Sequence, residues 1–299
     1  YRKALRILTP LANKGDGDAQ NILGLIYRFG DNWVDEDLKK AYRWFKLSAD
    51  QNNSFGQRNL ASMYSDGEGV NQDQKEAFRL FKLSADQGNE HAQNDLGIAY
   101  ENGEGVKKDF GEAIQFYRLS AEQGNYDAQH NLGRMYYHGH GVKENKKEAC
   151  RWLELAAEQG QEDSQLSVGY YYLLGEFGIE KNIVKAIKFL KMAAEQENAM
   201  AQAILGAMYS EPQEGFQRDD KESYKWYKLA AEQGNAIAQY SLGAMYETGA
   251  GVYRDDKEAF KWYKLSAEQG DEDGQVNLGI FYATGKVVKK DKKEALRLF

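Results

Sequence analysis

A period of 36 or 37 residues runs through the whole of this 299-residue chain and constrains its fold more than any other feature. The segment Ala92-Gln93-Asn94-Asp95-Leu96-Gly97-Ile98-Ala99-Tyr100, followed by Gly103-Glu104-Gly105-Val106, returns as Ala128-Gln129, Leu132-Gly133, Tyr136 and Gly139-His140-Gly141-Val142. It returns again as Ala238-Gln239, Leu242-Gly243, Tyr246 and Gly249-Ala250-Gly251-Val252. A small residue recurs in register at Gly24, Ala61, Gly97, Gly133, Gly169, Gly206, Gly243 and Gly279. Self-similarity at such a period marks one supersecondary unit that cannot bury its apolar face alone and must stack on its neighbours.

Each unit holds two helical patterns. In the first, helix A, Leu96, Ala99 and Tyr100 share a side with Ala92, and Gln93 and Gly97 border it. In the second, helix B, Ala113, Phe116, Tyr117, Ser120 and Ala121 follow the i, i+3, i+4, i+7, i+8 rule of an amphipathic helix. One helix B site is bulky throughout (Trp44, Leu80, Phe116, Trp152, Phe189, Trp226, Trp262, Leu298), and another is alanine at Ala49, Ala85, Ala121 and onward. Glycine inside a helix costs on the order of 1 kcal/mol against alanine. Gly97 and its equivalents therefore imply that a bulky helix B ring packs directly over that backbone. Gly88, Gly124, Gly160, Gly234 and Gly270 stand just past helix B as left-handed stops, and Gly-x-Gly-Val is the turn from A to B.

The fold this predicts is all-α: an α-solenoid of about eight helix-turn-helix repeats, starting near residues 19, 56, 92, 128, 164, 201, 238 and 274. A leading helix B occupies residues 1–15, and the chain reads as one continuous array over 1–299 with no linker. Neither end carries a polar capping helix, so both read as trimmed or frayed. With Pro 2 and Gly 30, a loop-rich, all-β or collagen-like chain is excluded, and 42% hydrophobic residues exclude a disordered one.

At these residues the pattern A-Q-x-x-L-G-x-M-Y-x-x-G-x-G-V, then D-x-x-x-A-x-x-W-Y-x-x-A-A-E-Q-G, resembles the Sel1-like repeat, a relative of the tetratricopeptide repeat. The resemblance covers almost the whole chain. It implies a right-handed superhelix with helix A lining a concave side, used by adaptors that assemble protein complexes. A cysteine-rich subgroup reported to bind β-lactam-like compounds carries disulfides in each repeat, whereas this chain has the single Cys150. Repeats one, five and six depart from the pattern at Gly30 to Val34, Gly175 to Ile179 and Pro212 to Phe216, where the turn is a residue longer. The expectation is that Trp33, Phe177 and Phe216 fold back over the core; the alternative is an extra contact at one rim.

Reaction machinery is not evident. There is no G-x-S-x-G elbow, no G-x-x-x-x-G-K-[ST] loop and no H-E-x-x-H. Cys150 takes the site filled by Phe78, Ile114, Ile187 and Phe260, so it reads as a small buried hydrophobe. Asp219-Asp220 and Asp255-Asp256 stand where carboxylates cap a helix N-terminus. His130, His138 and His140 fall in one repeat but lack an evident fourth ligand, so no metal site and no cofactor are assigned. Lys107-Lys108, Lys146-Lys147 and Lys289-Lys290 read as a solvated rim. A net charge of −7, from Lys+Arg 39 against Asp+Glu 46, gives no electrostatic reason to bind nucleic acid. No apolar run approaches the roughly 20 residues a membrane-spanning helix needs. The compartment stays open between the cytoplasm and export.

The helix A sites equivalent to Asn94, Ile98, Glu101 and Asn102 point away from the packed stripe and are expected to line the concave face. There the residues change from repeat to repeat. Repeats four and five stand out, with His130, Arg134, Tyr137 and His138 next to Leu166, Tyr170, Leu173 and Leu174; Arg58 and Tyr240 are further candidates. The expected function is a non-enzymatic adaptor holding a protein or peptide. The alternatives are an immunity protein that sequesters a toxin domain, and an envelope protein that binds or hydrolyses peptidoglycan or β-lactam-type ligands.

Overall fold

The structure, a computed structural model, describes residues 2–31, 33–175, 178–212 and 216–299. Seventeen helices alternate through the described residues, which hold no strand; Asp31 and Val34 form an isolated bridge. The A helices are α2 (Gly17–Phe29), α4 (Ser54–Asp66), α6 (Glu90–Asn102), α8 (Tyr126–His138), α10 (Glu162–Leu174), α12 (Ala199–Ser210), α14 (Ala236–Thr248) and α16 (Glu272–Thr284). The B helices are α1 (Arg2–Ala12), α3 (Leu38–Asp50), α5 (Gln74–Asp86), α7 (Phe110–Glu122), α9 (Lys146–Glu158), α11 (Ile183–Glu195), α13 (Asp220–Glu232), α15 (Asp256–Glu268) and α17 (Lys292–Leu298). The chain divides into two compact units, 1–156 and 157–299, with the division inside α9. In each unit helix pairs stack in chain order, the all-α solenoid class that the period predicts.

Most of the helices open on a capping side chain. Asn89, Asn125, Asn198 and Asn235 cap A helices by accepting the backbone N–H three residues on. Asp73, Asp109, Asp219 and Asp255 cap B helices by accepting two backbone N–H groups each. The paired carboxylates at Asp219 and Asp255 thus act as structural caps.

Two adjacent helix B residues divide the packing. A Cβ on Gly97 would lie 2.5 Å from the Tyr117 ring, and one on Gly243 would lie 2.8 Å from Tyr263. Gly24 meets Phe45 and Gly133 meets Leu153 in the same way. The residue over the glycine is therefore the one after the site shared by Trp44 and Phe116, which corrects the sequence expectation. The shared site faces the other way: Trp152 joins the cluster of Ala113, Ile114 and Tyr117 from the repeat before, and Trp262 joins Tyr227 and Ala230. One ring clamps A to B within a repeat; its neighbour clamps B to the preceding repeat. Cys150 is buried, as its register predicts.

Buried glutamines tie the repeats together. Gln202, 2% exposed, donates from Nε2 to the Ala194 carbonyl at the end of the previous helix B (3.0 Å). Its Oε1 accepts from Gln233 at the end of its own helix B (2.8 Å). Gln165 and Gln239 repeat both bonds, to Ala157 and from Gln196, and to Ala231 and from Gln269.

The turns carry the left-handed residues. Gly88, Gly124, Gly160, Gly234 and Gly270 all have positive φ, and the same place is filled by Asn52 (φ 59°) and Glu197 (φ 69°). The second glycine of Gly-x-Gly lies against the backbone carbonyl that opens the preceding helix B: Gly69 against Leu38, Gly105 against Gln74, Gly141 against Phe110 and Gly251 against Asp220. Repeat eight has Val287 at this place, a fourth departure that the sequence reading passes over.

The irregular turns differ from the expectation of burial. Trp33 is 75% exposed, because Asp31 Oδ1 accepts from both Trp33 N and Val34 N (2.8 Å each) and the resulting turn faces Val34 to the core and the indole outward. Phe216 does fold back, half-buried and edge-on to Tyr209 at 4.8 Å. Phe177 lies outside the described residues.

Two stability outcomes follow. Glu197→Gly relieves a left-handed non-glycine residue and is expected to stabilise by about 1 kcal/mol, read as a higher urea midpoint. Gln202→Leu removes one of the two donors to the Ala194 carbonyl, which keeps the Glu197 N–H, and takes the acceptor away from the Gln233 amide; it is expected to lower stability by about 1 kcal/mol in the same titration.

Candidate functional site

In the first unit, much of the polar surface of the A helices is spent on neighbouring repeats. Asn21 and Asn94, expected on an open face, are buried: Asn59 donates to Asn21 (2.7 Å) and Asn131 to Asn94 (3.1 Å), one repeat on. Ala203 of the second unit is buried at the same site. Arg58 is half-buried and pairs with Asp95 at 2.7 Å. Arg28 pairs with Glu68 at 2.9 Å and reaches Asp66 at 3.5 Å.

Arg134 sits in the tightest of these arrangements. Its guanidinium donates to both oxygens of Glu101 (2.6 and 2.7 Å), and Glu101 also accepts from the Tyr117 hydroxyl at 2.7 Å. Burial pushes the Glu101 carboxyl up, but the hydrogen bonds from Arg134 and Tyr117 outweigh it and hold the group below its ordinary value. Tyr117 is shifted upward, by burial first and by its bond to Glu101 second. Asp95 moves the opposite way from Glu101, raised by burial that its Arg58 pair does not offset.

Tyr137 and His138 belong to an aromatic column at the end of α8. His138 is exposed, meets Tyr137 edge-on at 5.0 Å and stacks on His140 at 5.4 Å, which stacks on Phe110 at 4.9 Å. The Lys146 ammonium lies over Tyr137 (5.0 Å) and that of Lys108 over Phe110 (4.5 Å). His130 is half-exposed on the same helix. Among the described residues, no three His, Cys, Asp or Glu side chains are grouped to hold a metal ion.

In the second unit, α10 presents Tyr170 (45% exposed) and Leu174 (39%). Leu166 and Leu173 are partly buried against the core that holds Leu190 and Leu205. Tyr240 is half-exposed, tilted against Tyr263 at 5.9 Å. Ile280 adds an exposed apolar side chain on α16. Sequence reasoning found Tyr170 and Leu174 as open positions; it missed the ion pairs of Arg58 and Arg134, whose acceptors lie 37 and 33 residues away.

Helix pairs of fixed core and variable outer face, held by caps, glycine contacts and glutamine bonds that recur along the chain, define a helical-repeat scaffold. The chain belongs to the Sel1 repeat family: its model matches residues 17–53, 54–89, 90–125, 127–161, 162–198, 199–235, 236–271 and 272–299. Proteins of this family generally mediate protein–protein interaction. A search of curated proteins returns no significant match. Among solved structures, c5321, a protective antigen of uropathogenic Escherichia coli with this fold, is 35% identical with a TM-score of 0.91. The match covers 98% of this chain and 62% of that one, so the chain spans less than two thirds of that relative. A Sel1 repeat protein from Oxalobacter formigenes is 32% identical, with a TM-score of 0.65 over 89% of this chain and 76% of that one. No helix among the described residues is long and apolar enough to cross a membrane.

A pH dependence follows from Glu101. Its folded value lies below its ordinary 4.5, so its contribution is complete above that pH and is lost as pH falls through the lower folded value. Urea titrations between pH 6 and 3 are expected to show a steeper acid loss for the parent than for Glu101→Gln; equal slopes would remove the assignment.

Proposed function

We propose that this chain is a non-enzymatic adaptor that holds a protein or peptide partner on the open faces of its A helices. One observation carries the reading: a single helix A site runs Leu25, Ser62, Ile98, Arg134, Tyr170, Ala207, Ala244, Ile280, while the packing sites around it stay nearly constant. A fixed scaffold with a variable outer face is how repeat proteins set partner choice. Support comes from the half-exposed Tyr170 and Leu174 on α10, an aromatic and an aliphatic side chain of the kind that anchors interfaces. In the first unit, His138 with Tyr137 offers a second such surface.

Arg58 and Arg134 keep their place in this proposal as residues that shape the face while paired to Asp95 and Glu101. They are poor choices for a test, since losing either strands a carboxylate. Tyr170→Ala with Leu174→Ala is the cleaner change. With a partner identified by affinity purification and cross-linking, the double variant is expected to lose at least about tenfold in affinity while its melting curve matches the parent. Unchanged affinity would sink this surface. Stoichiometric inhibition of one toxic enzyme by the purified chain would make the partner a toxin; turnover of a peptidoglycan fragment would replace the adaptor reading with an enzymatic one.

A further inference from the structure

A device that closes on itself in two repeats stands open in another. In repeat three, Glu101 accepts from Tyr117 of the same repeat and from Arg134 of the next. In repeat seven, Glu247 accepts from Tyr263 (3.0 Å) and from Lys286 of the next (3.2 Å). Each time a helix A carboxylate, a helix B phenol and a cation from the following repeat fill the space between helices. The equivalents in repeat two are Ser65, Phe81 and Ile98, which supply neither the carboxylate, nor the hydroxyl, nor the cation.

The consequence is a cleft of about 190 Å³ among α4, α5 and α6, inside the first unit. Phe78, Phe81 and Ile98 form its apolar walls, and Asp66, Asp95 and Glu104 bring carboxylates to its lining, with no lysine or arginine among the lining residues. Asp95 is held by Arg58, and Asp66 is reached by Arg28 only at 3.5 Å, since that guanidinium bonds Glu68 more closely. Glu104 accepts from the neutral Asn102 amide at 2.8 Å. The cleft therefore combines aromatic walls with carboxylates incompletely matched by cations.

We propose that this cleft receives an arginine side chain from a protein partner. The proposal rests on the adaptor reading and names the partner's chemistry. An arginine stem covers apolar wall, and the planar guanidinium stacks on a phenyl face while its fork meets carboxylates, which a lysine ammonium does not do. One repeat further on, the chain sets a guanidinium of its own, Arg134, between the helices, where Glu101 receives it; in the cleft that part falls to Asp66 and Glu104. A net charge of −7 also favours approach of a basic segment.

The test uses the full chain and the capped peptide acetyl-Gly-Arg-Gly-amide, followed through backbone amide NMR shifts. Saturable shifts are expected at Ser62, Ser65, Ile98 and Glu104, with at least tenfold weaker binding of the citrulline peptide, which keeps the shape and loses the charge. Ser65→Glu with Phe81→Tyr and Ile98→Arg rebuilds the closed arrangement of repeat three and is expected to abolish the response. If that triple variant does not fold, Glu104→Gln is expected to weaken binding several-fold in a folded chain. Equal binding of the citrulline peptide, shifts confined to other residues, or binding that survives both variants overturns the proposal. A partner whose capture is lost in the Tyr170 and Leu174 variant but kept when the cleft is closed would leave the adaptor reading standing and remove only the arginine site.

Discussion

In repeats five, six and seven, the buried glutamine near the start of the A helix is the bond on which the stacking depends. A primary amide has a donor end and an acceptor end, and here both are used within the core, toward the previous helix B and toward its own. Apolar packing alone is non-directional, so alanine and leucine faces could slide by a turn with little loss. An amide with two obligatory partners cannot slide without leaving a polar group dry. Where Gln165, Gln202 and Gln239 form this pair of bonds, three helices are fixed at once, and the larger side chains pack into a frame whose register is already set.

Given that frame, the rings are divided between two tasks. The residue over the helix A glycine holds the pair together, and the one before it reaches the neighbouring repeat. Both sites must be large, and the alanines around them must stay small, because neither side of the sandwich can yield. Variation is left to positions that face outward, and so the same architecture accommodates an ion pair at Arg134, an exposed ring at Tyr170 and an open cleft beside Ile98.

Most of the fold was legible because it is written eight times. Leu96, Gly97 and Tyr100 declare a helix and its packed side, and the recurrence of Gly88 marks its predecessor's end. The outer face was less legible. A helical wheel describes one helix, whereas Arg58 finds Asp95 and Asn131 finds Asn94 across a repeat boundary, so their burial depends on stacking that a single wheel does not contain. Trp33 shows a second limit. Hydrophobicity argued for burial, yet one Asp31 carboxylate, bonding two successive amides, decided which of two neighbouring apolar residues went inside.

The second glycine of the Gly-x-Gly turn has an effect that reaches beyond its own loop. By lying against a carbonyl of the preceding helix B, it makes the turns of repeats two, three, four and seven spacers whose thickness is that of bare backbone. A Cβ there would come within 2.0 to 2.5 Å of that carbonyl oxygen, so a side chain would have to push the two segments apart. In the four repeats that carry this glycine, the closeness of successive pairs at the turn thus rests on a single hydrogen atom, and repeat eight puts the side chain of Val287 at that place.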